Sequence, residues 1–262
     1  MKKLFILQAY IRYRCKAKSG HGIHSPFVYD FIENVLQDQR HFYAYDDIAQ
    51  LRKQLFQDTS VITVEDFGAG SHLGSTKNRV IKDIAKTAGR TEKFGKLLFK
   101  MVQYYSLQHI VELGTSLGIG STYIAKANEH ATITTIEGSE AVAAKAKRNF
   151  ESLAIKNVQQ VIGNFNTTLS PTLDKMKTID LLFIDGNHQQ KPTIDYFMQA
   201  LPHAHNESIF IFDDIHWSKG MELAWQEIKN NPSVTLSIDL FFFGIVFFKK
   251  EFKVKQHFIL KY

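Results

Sequence analysis

The run Val111-Glu112-Leu113-Gly114-Thr115-Ser116-Leu117-Gly118-Ile119-Gly120-Ser121 constrains this chain more than any other segment. The apolar stretch His109-Ile110-Val111-Glu112-Leu113 reads as a buried strand that enters a glycine-rich turn and then a helix. Glycine serves where the backbone takes a positive φ or approaches a ligand more closely than a Cβ allows. The helix that follows offers unpaired N–H groups at its start. A second strand, Thr132-Ile133-Thr134-Thr135-Ile136, ends in Glu137, an acid placed where ribose hydroxyls are commonly accepted. Strand, glycine turn, helix, strand and acid together describe the nucleoside-binding half of a doubly wound sheet.

The rest of the chain agrees with that class. After Ser106 strands are expected at 109–113, 132–137, 158–162, 179–184 and 208–212, with helices at 119–128, 139–153, 191–201 and 219–230 between them. A terminal pair near 236–250, joined at Gly244, completes the pattern as a hairpin at the sheet edge. Such alternation predicts an α/β, Rossmann-like, mostly parallel seven-stranded sheet covered on both faces, with a C-terminal antiparallel hairpin. Residues 1–105 read mainly as helices, at 27–37, 46–57, 79–88 and 92–105, and are expected to form a cap or lid on a ligand-binding domain at 106–262.

A competing motif lies inside the cap. Val64-Glu65-Asp66-Phe67-Gly68-Ala69-Gly70-Ser71 also reads as an acidic strand feeding a glycine turn, but the expected ribose acid about 20 residues on is missing. Gly74-Ser75-Thr76-Lys77 has its lysine in the wrong order for a phosphate-binding loop. Residues 66–78 are therefore expected to form a loop.

Bulk properties set wider bounds. At 262 residues and 44% hydrophobic, one substantial core is affordable and a second full domain is not expected. The single cysteine, Cys15, rules out an internal disulfide and a cysteine-rich zinc site, and suits a reducing, cytoplasmic setting. Met1 to Leu7 begins like a signal peptide, but Gln8 interrupts the apolar run and four basic residues follow without a cleavage site. No run is long enough to span a bilayer. The net charge of +6 fits an anionic partner, and equally fits an ordinary basic enzyme.

The glycine spacing separates two cofactor classes. A dinucleotide fold uses G-x-G-x-x-G, whereas this turn runs Gly114-x-x-x-Gly118-x-Gly120 with Glu112 two residues ahead. The pattern resembles the first motif of class I S-adenosylmethionine (SAM)-dependent methyltransferases, over roughly residues 95–250. Within that superfamily it is most similar to the metal-dependent O-methyltransferases of the catechol and caffeoyl-CoA type and to related methyltransferases with a D-G-x-H segment. The resemblance implies that Glu112, Gly114, Thr115 and Gly118 line the methionine and ribose of SAM and that Glu137 accepts the ribose hydroxyls. It places Gly163 and Asn164 at the adenine, with Asn164 where the family usually has Asp, and sets Gly95-Lys96-Leu97-Leu98 near the cofactor. Close helix-to-sheet packing is the alternative reason for Gly118 and Gly120.

Two later strand ends carry the chemistry: Asp185-Gly186-Asn187-His188 and Asp213-Asp214-Ile215-His216-Trp217. Ligands of open α/β sheets sit outside the carboxyl ends of the strands, so Asp185, Asp213 and Asp214 are candidates to converge there. Clustered carboxylates repel unless a cation intervenes, and such ligands suit Mg²⁺, Ca²⁺ or Mn²⁺. By the resemblance Asp185 lies at both cofactor and metal, and His188 stands where the family has a catalytic lysine. An imidazole neutral near pH 7 can take a proton from an acceptor hydroxyl as the methyl group transfers. The alternatives are loop histidines bonded to backbone and aspartates that cap the next helix.

Three functions follow. The first is SAM-dependent O-methylation of a small molecule with a divalent cation, the cap selecting the acceptor. The second is RNA methylation on the same scaffold, suggested by the basic N-terminus (Arg12, Arg14, Lys16, Lys18) but without an N-P-P-Y-type signature. The third is a SAM-binding module without catalysis, with the cap mediating a homodimer. The turn Lys18-Ser19-Gly20-His21-Gly22-Ile23-His24 reads as a polar lead-in to a helix.

Overall fold

The computed structural model describes residues 2–20, 22–66, 75–88 and 91–262. The fold is α/β, with mostly parallel strands, flanking helices and a C-terminal antiparallel hairpin. The chain divides into two compact units, one of residues 1–36 and 173–262 and one of residues 37–172.

In the second unit the strands β3 (His109–Leu113), β4 (Thr132–Glu137) and β5 (Val158–Ile162) lie side by side and parallel. Register puts Glu112 beside Thr135 and Glu137 beside Ile162. Helix α6 (Ile119–Ala127) links β3 to β4 and α7 (Glu140–Ser152) links β4 to β5. Three helices precede them: α3 (Tyr43–Gln57), α4 (Ile81–Ala88) and α5 (Glu92–Tyr104). They share one core with the turn and α6, in which Ile48, Leu51, Leu55, Ile81 and Phe99 pack with Leu117, Ile119 and Tyr123. Gly95 of α5 exists for this packing, because a Cβ there would lie 2.2 Å from the Tyr123 ring.

The same unit corrects one expectation. Residues 75–78, expected as loop, and 79–80, expected to begin a helix, form the strand β2 (Ser75–Val80), while the acidic strand expected at Val64 to Asp66 is the end of β1 (Val61–Asp66); the two pair antiparallel from Val61 opposite Val80 to Asp66 opposite Ser75. The glycine turn expected at Gly68 to Gly70 lies outside the described residues. The hairpin is tied toward α7, since the Glu65 N–H donates to Ser139 Oγ at 3.3 Å.

In the first unit β6 (Ile179–Ile184) and β7 (Ala204–Phe212) are parallel, with Ile184 beside Phe212. The expected hairpin is β8 (Leu236–Asp239) and β9 (Gly244–Phe247), β9 also pairing antiparallel with β7. Gly244 is required at its start, because a Cβ would meet the Trp225 ring at 2.7 Å. A further strand, β10 (Gln256–Ile259), adds parallel to β8, so these sheet strands number eight and not the seven expected. Helices α9 (Gln190–Ala200) and α10 (Lys219–Asn230) pack together, and α1 (Lys2–Lys16) and α2 (Pro26–Phe31) complete the unit. Helix α8 (Phe165–Lys175) runs across the sequence boundary of the two units. Among the described residues no helix is long and apolar enough to cross a membrane.

One ion pair fixes α3 to α7. Lys145 Nζ lies 2.7 Å from Asp58 Oδ2, and with Ser60 it lowers the Asp58 carboxyl to about 2. A depressed folded pKa gives stability that is present above the unfolded value and is lost as pH falls through the folded one. Asp58→Ala should therefore cost about 1 kcal/mol at pH 7, a modest figure because the pair is partly solvated. In urea unfolding across pH 2–5, the gap between wild type and variant should close toward the acid end.

Candidate functional site

The turn after β3 is built by backbone conformations that few side chains tolerate. Gly114 has φ 104°, Ser116 φ 48° and Gly118 φ 80°. Gly118 is left-handed as the N-cap of α6, and its N–H donates to the Thr115 carbonyl at 2.8 Å. A Cβ at Gly118 would also strike the Phe150 ring of α7 at 2.6 Å. Its freedom thus serves packing as well as the turn. Asn149 of α7 adds a strut, donating through Nδ2 to the Leu117 carbonyl at 2.8 Å.

Glu112 is buried beneath the turn, 1% exposed. Its Oε2 accepts from the hydroxyls of Ser121 and Thr135, the latter at 2.6 Å. Thr135 Oγ1 lies in turn 2.6 Å from Thr115 Oγ1. A carboxylate inside a protein needs such partners. This network binds strand β3, the turn, α6 and β4 into one piece. Ser121 and Thr135 carry no signal of their own in the sequence, since β4 holds three threonines; only the register that sets Thr135 beside Glu112 singles it out.

Glu137 stands at the end of β4. Its Oε2 accepts the Ser116 N–H at 2.9 Å and its Oε1 accepts the Ser139 N–H at 3.0 Å. Burial raises its carboxyl above the usual range, against the lowering effect of those N–H groups. Each carboxylate oxygen has a second lone-pair site, so the acid can hold the turn and still accept from a ligand hydroxyl. Beyond β5, Gly163 has φ 149°, and a Cβ there would meet Thr168 Cγ2 at 2.7 Å. Asn164 caps α8: its Oδ1 accepts the Asn166 N–H at 2.9 Å, and its carbonyl accepts from Thr168 N–H at 3.0 Å. That use of Oδ1 leaves the amide nitrogen as the donor for a heterocycle.

In the other unit the chemistry sits on the loops after β6 and β7. Asp185, His188 and Asp213 each present a donor atom, and the three atoms lie within 4.8 Å of one another. His188 Nε2 is 3.9 Å from Asp185 Oδ1, and Asp213 is buried. A left-handed Asn187, φ 52°, turns the loop that brings His188 back beside Asp185, and its side chain donates to the buried Tyr196 hydroxyl at 3.0 Å. Asp214 is also left-handed, φ 53°, and does not share the grouping. The carboxylate trio expected from sequence is thus, among the described residues, two carboxylates and an imidazole. Nor do the aspartates cap the next helix, since Ser218 caps α10 by accepting the Met221 N–H at 3.2 Å.

His216 is held elsewhere. Its Nδ1 lies 2.9 Å from Glu222 Oε1 and its Nε2 2.9 Å from Asp239 Oδ2. Burial opposes its protonation, but the two carboxylates prevail and raise it. Its two bonds tie the loop after β7 to α10 and β8.

A donor spacing of this kind is bridged by a cation held about 2.0–2.5 Å from each ligand, so the residues after β6 and β7 fit a divalent ion. The turn after β3, with its left-handed backbone and pinned acid, fits a nucleoside cofactor.

A family model described as a methyltransferase domain matches residues 111–215, from the strand before the glycine turn to the loop after β7. No protein of curated function matches the sequence. Among solved structures the chain is similar to a Podospora anserina methyltransferase bound to S-adenosylhomocysteine, with TM-score 0.61 and 13% identity over 87% of this chain and 98% of that one. It is also similar to the O-methyltransferase TomG of Streptomyces achromogenes, involved in tomaymycin synthesis and solved with SAM, with TM-score 0.55 and 18% identity over 80% and 91% of the two chains. An O-methyltransferase from Bacillus cereus in complex with S-adenosylhomocysteine gives TM-score 0.55 and 17% identity over 84% and 97%. At such identities the likeness speaks for the fold. Residues 111–215 thus match a methyltransferase domain, and the chain shares its mostly parallel α/β fold with these solved methyltransferases.

Proposed function

We propose that the protein transfers the methyl group of SAM to an oxygen of a small molecule, with a divalent cation at Asp185, His188 and Asp213. The observation that carries the cofactor half is the Glu137 carboxylate bonded to the Ser116 N–H of the left-handed turn. There Glu137 holds the ribose hydroxyls, Gly114, Thr115 and Gly118 border the ribose and methionine, and Gly163 and Asn164 take the adenine. Glu112 acts from beneath, as a positioning residue.

The reaction breaks the bond from sulfonium sulfur to methyl and forms one from methyl to oxygen, while the hydroxyl proton leaves. The products are S-adenosylhomocysteine and a methyl ether or ester. A bound cation supplies a Lewis acid that lowers the hydroxyl pKa and orients it. His188 has two exclusive roles here: with the cation present its imidazole is a ligand, and without one it is the general base.

An imidazole among the donors favours borderline transition metals over Mg²⁺. In calorimetry on metal-free protein, Mn²⁺ or Zn²⁺ should bind roughly tenfold or more tighter than Mg²⁺, and Asp213→Ala should remove the site. Equal affinities would assign His188 to proton transfer alone.

The function itself is tested by incubating the full chain with methyl-labelled SAM and fractionated small-molecule, RNA and lipid extracts, with and without EDTA. Label should enter the small-molecule fraction and fall with EDTA. Label in RNA alone would overturn the acceptor class, and undiminished transfer under EDTA would remove the cation.

A further inference from the structure

Helix α1 has two opposed apolar faces. Ala9 and Tyr13 are buried with Phe241 and packed by Ile6 and Ile259. The Tyr13 hydroxyl also donates to the Leu260 carbonyl at 2.5 Å. On the other side Leu4, Leu7 and Ile11 are 59%, 54% and 53% exposed. Their spacing of three and four residues places them on one ridge.

The charges of this helix are all of one sign. It carries Lys2, Lys3, Arg12, Arg14 and Lys16 and no acidic residue. Arg12 pairs with Glu222 at 2.8 Å and Lys2 lies 3.6 Å over the Trp217 ring, both toward the body of the unit. Lys3 and Arg14 fall beside the exposed ridge on the helical wheel, where long side chains can extend toward a charged surface while their stems stay with apolar groups.

We propose that this ridge docks on an anionic lipid surface. An apolar stripe flanked by cations is the pattern of helices that lie in a membrane interface, and anionic leaflets attract each added Lys or Arg. A second copy of the chain suits the ridge poorly. A two-fold pairing of α1 with itself would set cation against cation, and three half-exposed side chains fall short of the ~800 Å² per partner of a stable interface. The helix is already anchored by Tyr13, so docking needs no new folding.

Cys15, the sole cysteine, is exposed on α1 and allows a reporter to be placed four residues beyond Ile11. The full chain, labelled there with an environment-sensitive dye, is mixed with vesicles of phosphatidylcholine alone or in equal parts with phosphatidylglycerol. Cosedimentation and a blue shift are expected with the anionic vesicles only, weakening as salt is added. The surface variant Leu7→Glu/Ile11→Glu should lower partitioning about tenfold or more, and Lys3→Glu/Arg14→Glu similarly, each with an unchanged melting temperature. Binding by neither vesicle, or undiminished binding of both variants, would overturn the proposal. So would light scattering that shows a dimer which Leu7→Glu/Ile11→Glu turns into a monomer, since the ridge would then be covered by a second copy.

Discussion

Replacing Glu137 with alanine is expected to weaken SAM binding by about 10²–10³-fold, because each hydrogen bond from a ribose hydroxyl to a carboxylate contributes roughly 1.5–3 kcal/mol. Two effects add. The variant loses the acceptors for the ribose, and it also releases the Ser116 and Ser139 N–H groups that the carboxylate now ties. Ser116 keeps its left-handed conformation in a turn that has lost this strut. Glu137→Gln should fall between wild type and alanine, since the amide keeps one acceptor oxygen and exchanges the other for a donor. Calorimetric titration with SAM measures both. Melting temperatures near that of wild type would show that the loss lies in the site, while an unchanged affinity for Glu137→Ala would remove Glu137 from it.

Gly118→Val should destabilise the protein by about 3–5 kcal/mol, combining a left-handed backbone that a β-branched residue avoids with overpacking of a filled core. The residue has φ 80°, and a Cβ would lie 2.6 Å from Phe150 Cε1 and 3.3 Å from Ala146 Cβ. Urea unfolding followed by circular dichroism gives the value. The two causes separate in the pair Gly118→Ala and Gly118→Ala/Phe150→Ala. Relief of the clash should recover part of the alanine penalty once the cost of Phe150→Ala alone is subtracted, and the backbone part should remain. A loss under 1 kcal/mol for Gly118→Val would mean that the turn rearranges freely, which the pinned Glu112 and Glu137 do not allow.

The stretch from β3 to Glu137 was legible because its signals are local. Positive φ at Gly114 and Gly118 is what glycine spacing encodes, and buried parallel strands write themselves as apolar runs such as Ile110 to Leu113. The elements that escaped have no such signature. Strand β2 reads Ser-Thr-Lys-Asn-Arg-Val, with its described side chains largely exposed, and it exists through pairing with β1. Helix α8 is polar and carries Pro171, and its start is set by Asn164 as a cap. Strand β10 is four residues with little buried surface, added to an edge that β8 provides.

The site divides the same way. That Glu137 and the glycine turn meet follows from β-strand register, which the motif implies. That His188 joins Asp185 and Asp213 while Asp214 does not depends on left-handed Asn187 and Asp214. Non-glycine residues adopt that conformation only when the surrounding loop requires it, so sequence alone leaves it open. The hydroxyl network beneath the turn is a third case: Ser121 and Thr135 meet Glu112 only once α6 and β4 flank β3.

The most direct test is a crystal structure of the full chain grown with S-adenosylhomocysteine. The ribose hydroxyls should lie within hydrogen-bonding distance of the Glu137 carboxylate, with the homocysteine beside Gly114 to Gly118 and the adenine at Gly163 and Asn164. A turn left vacant at saturating ligand, or a nucleoside bound away from Glu137, would contradict the cofactor assignment on which the proposed methyl transfer rests.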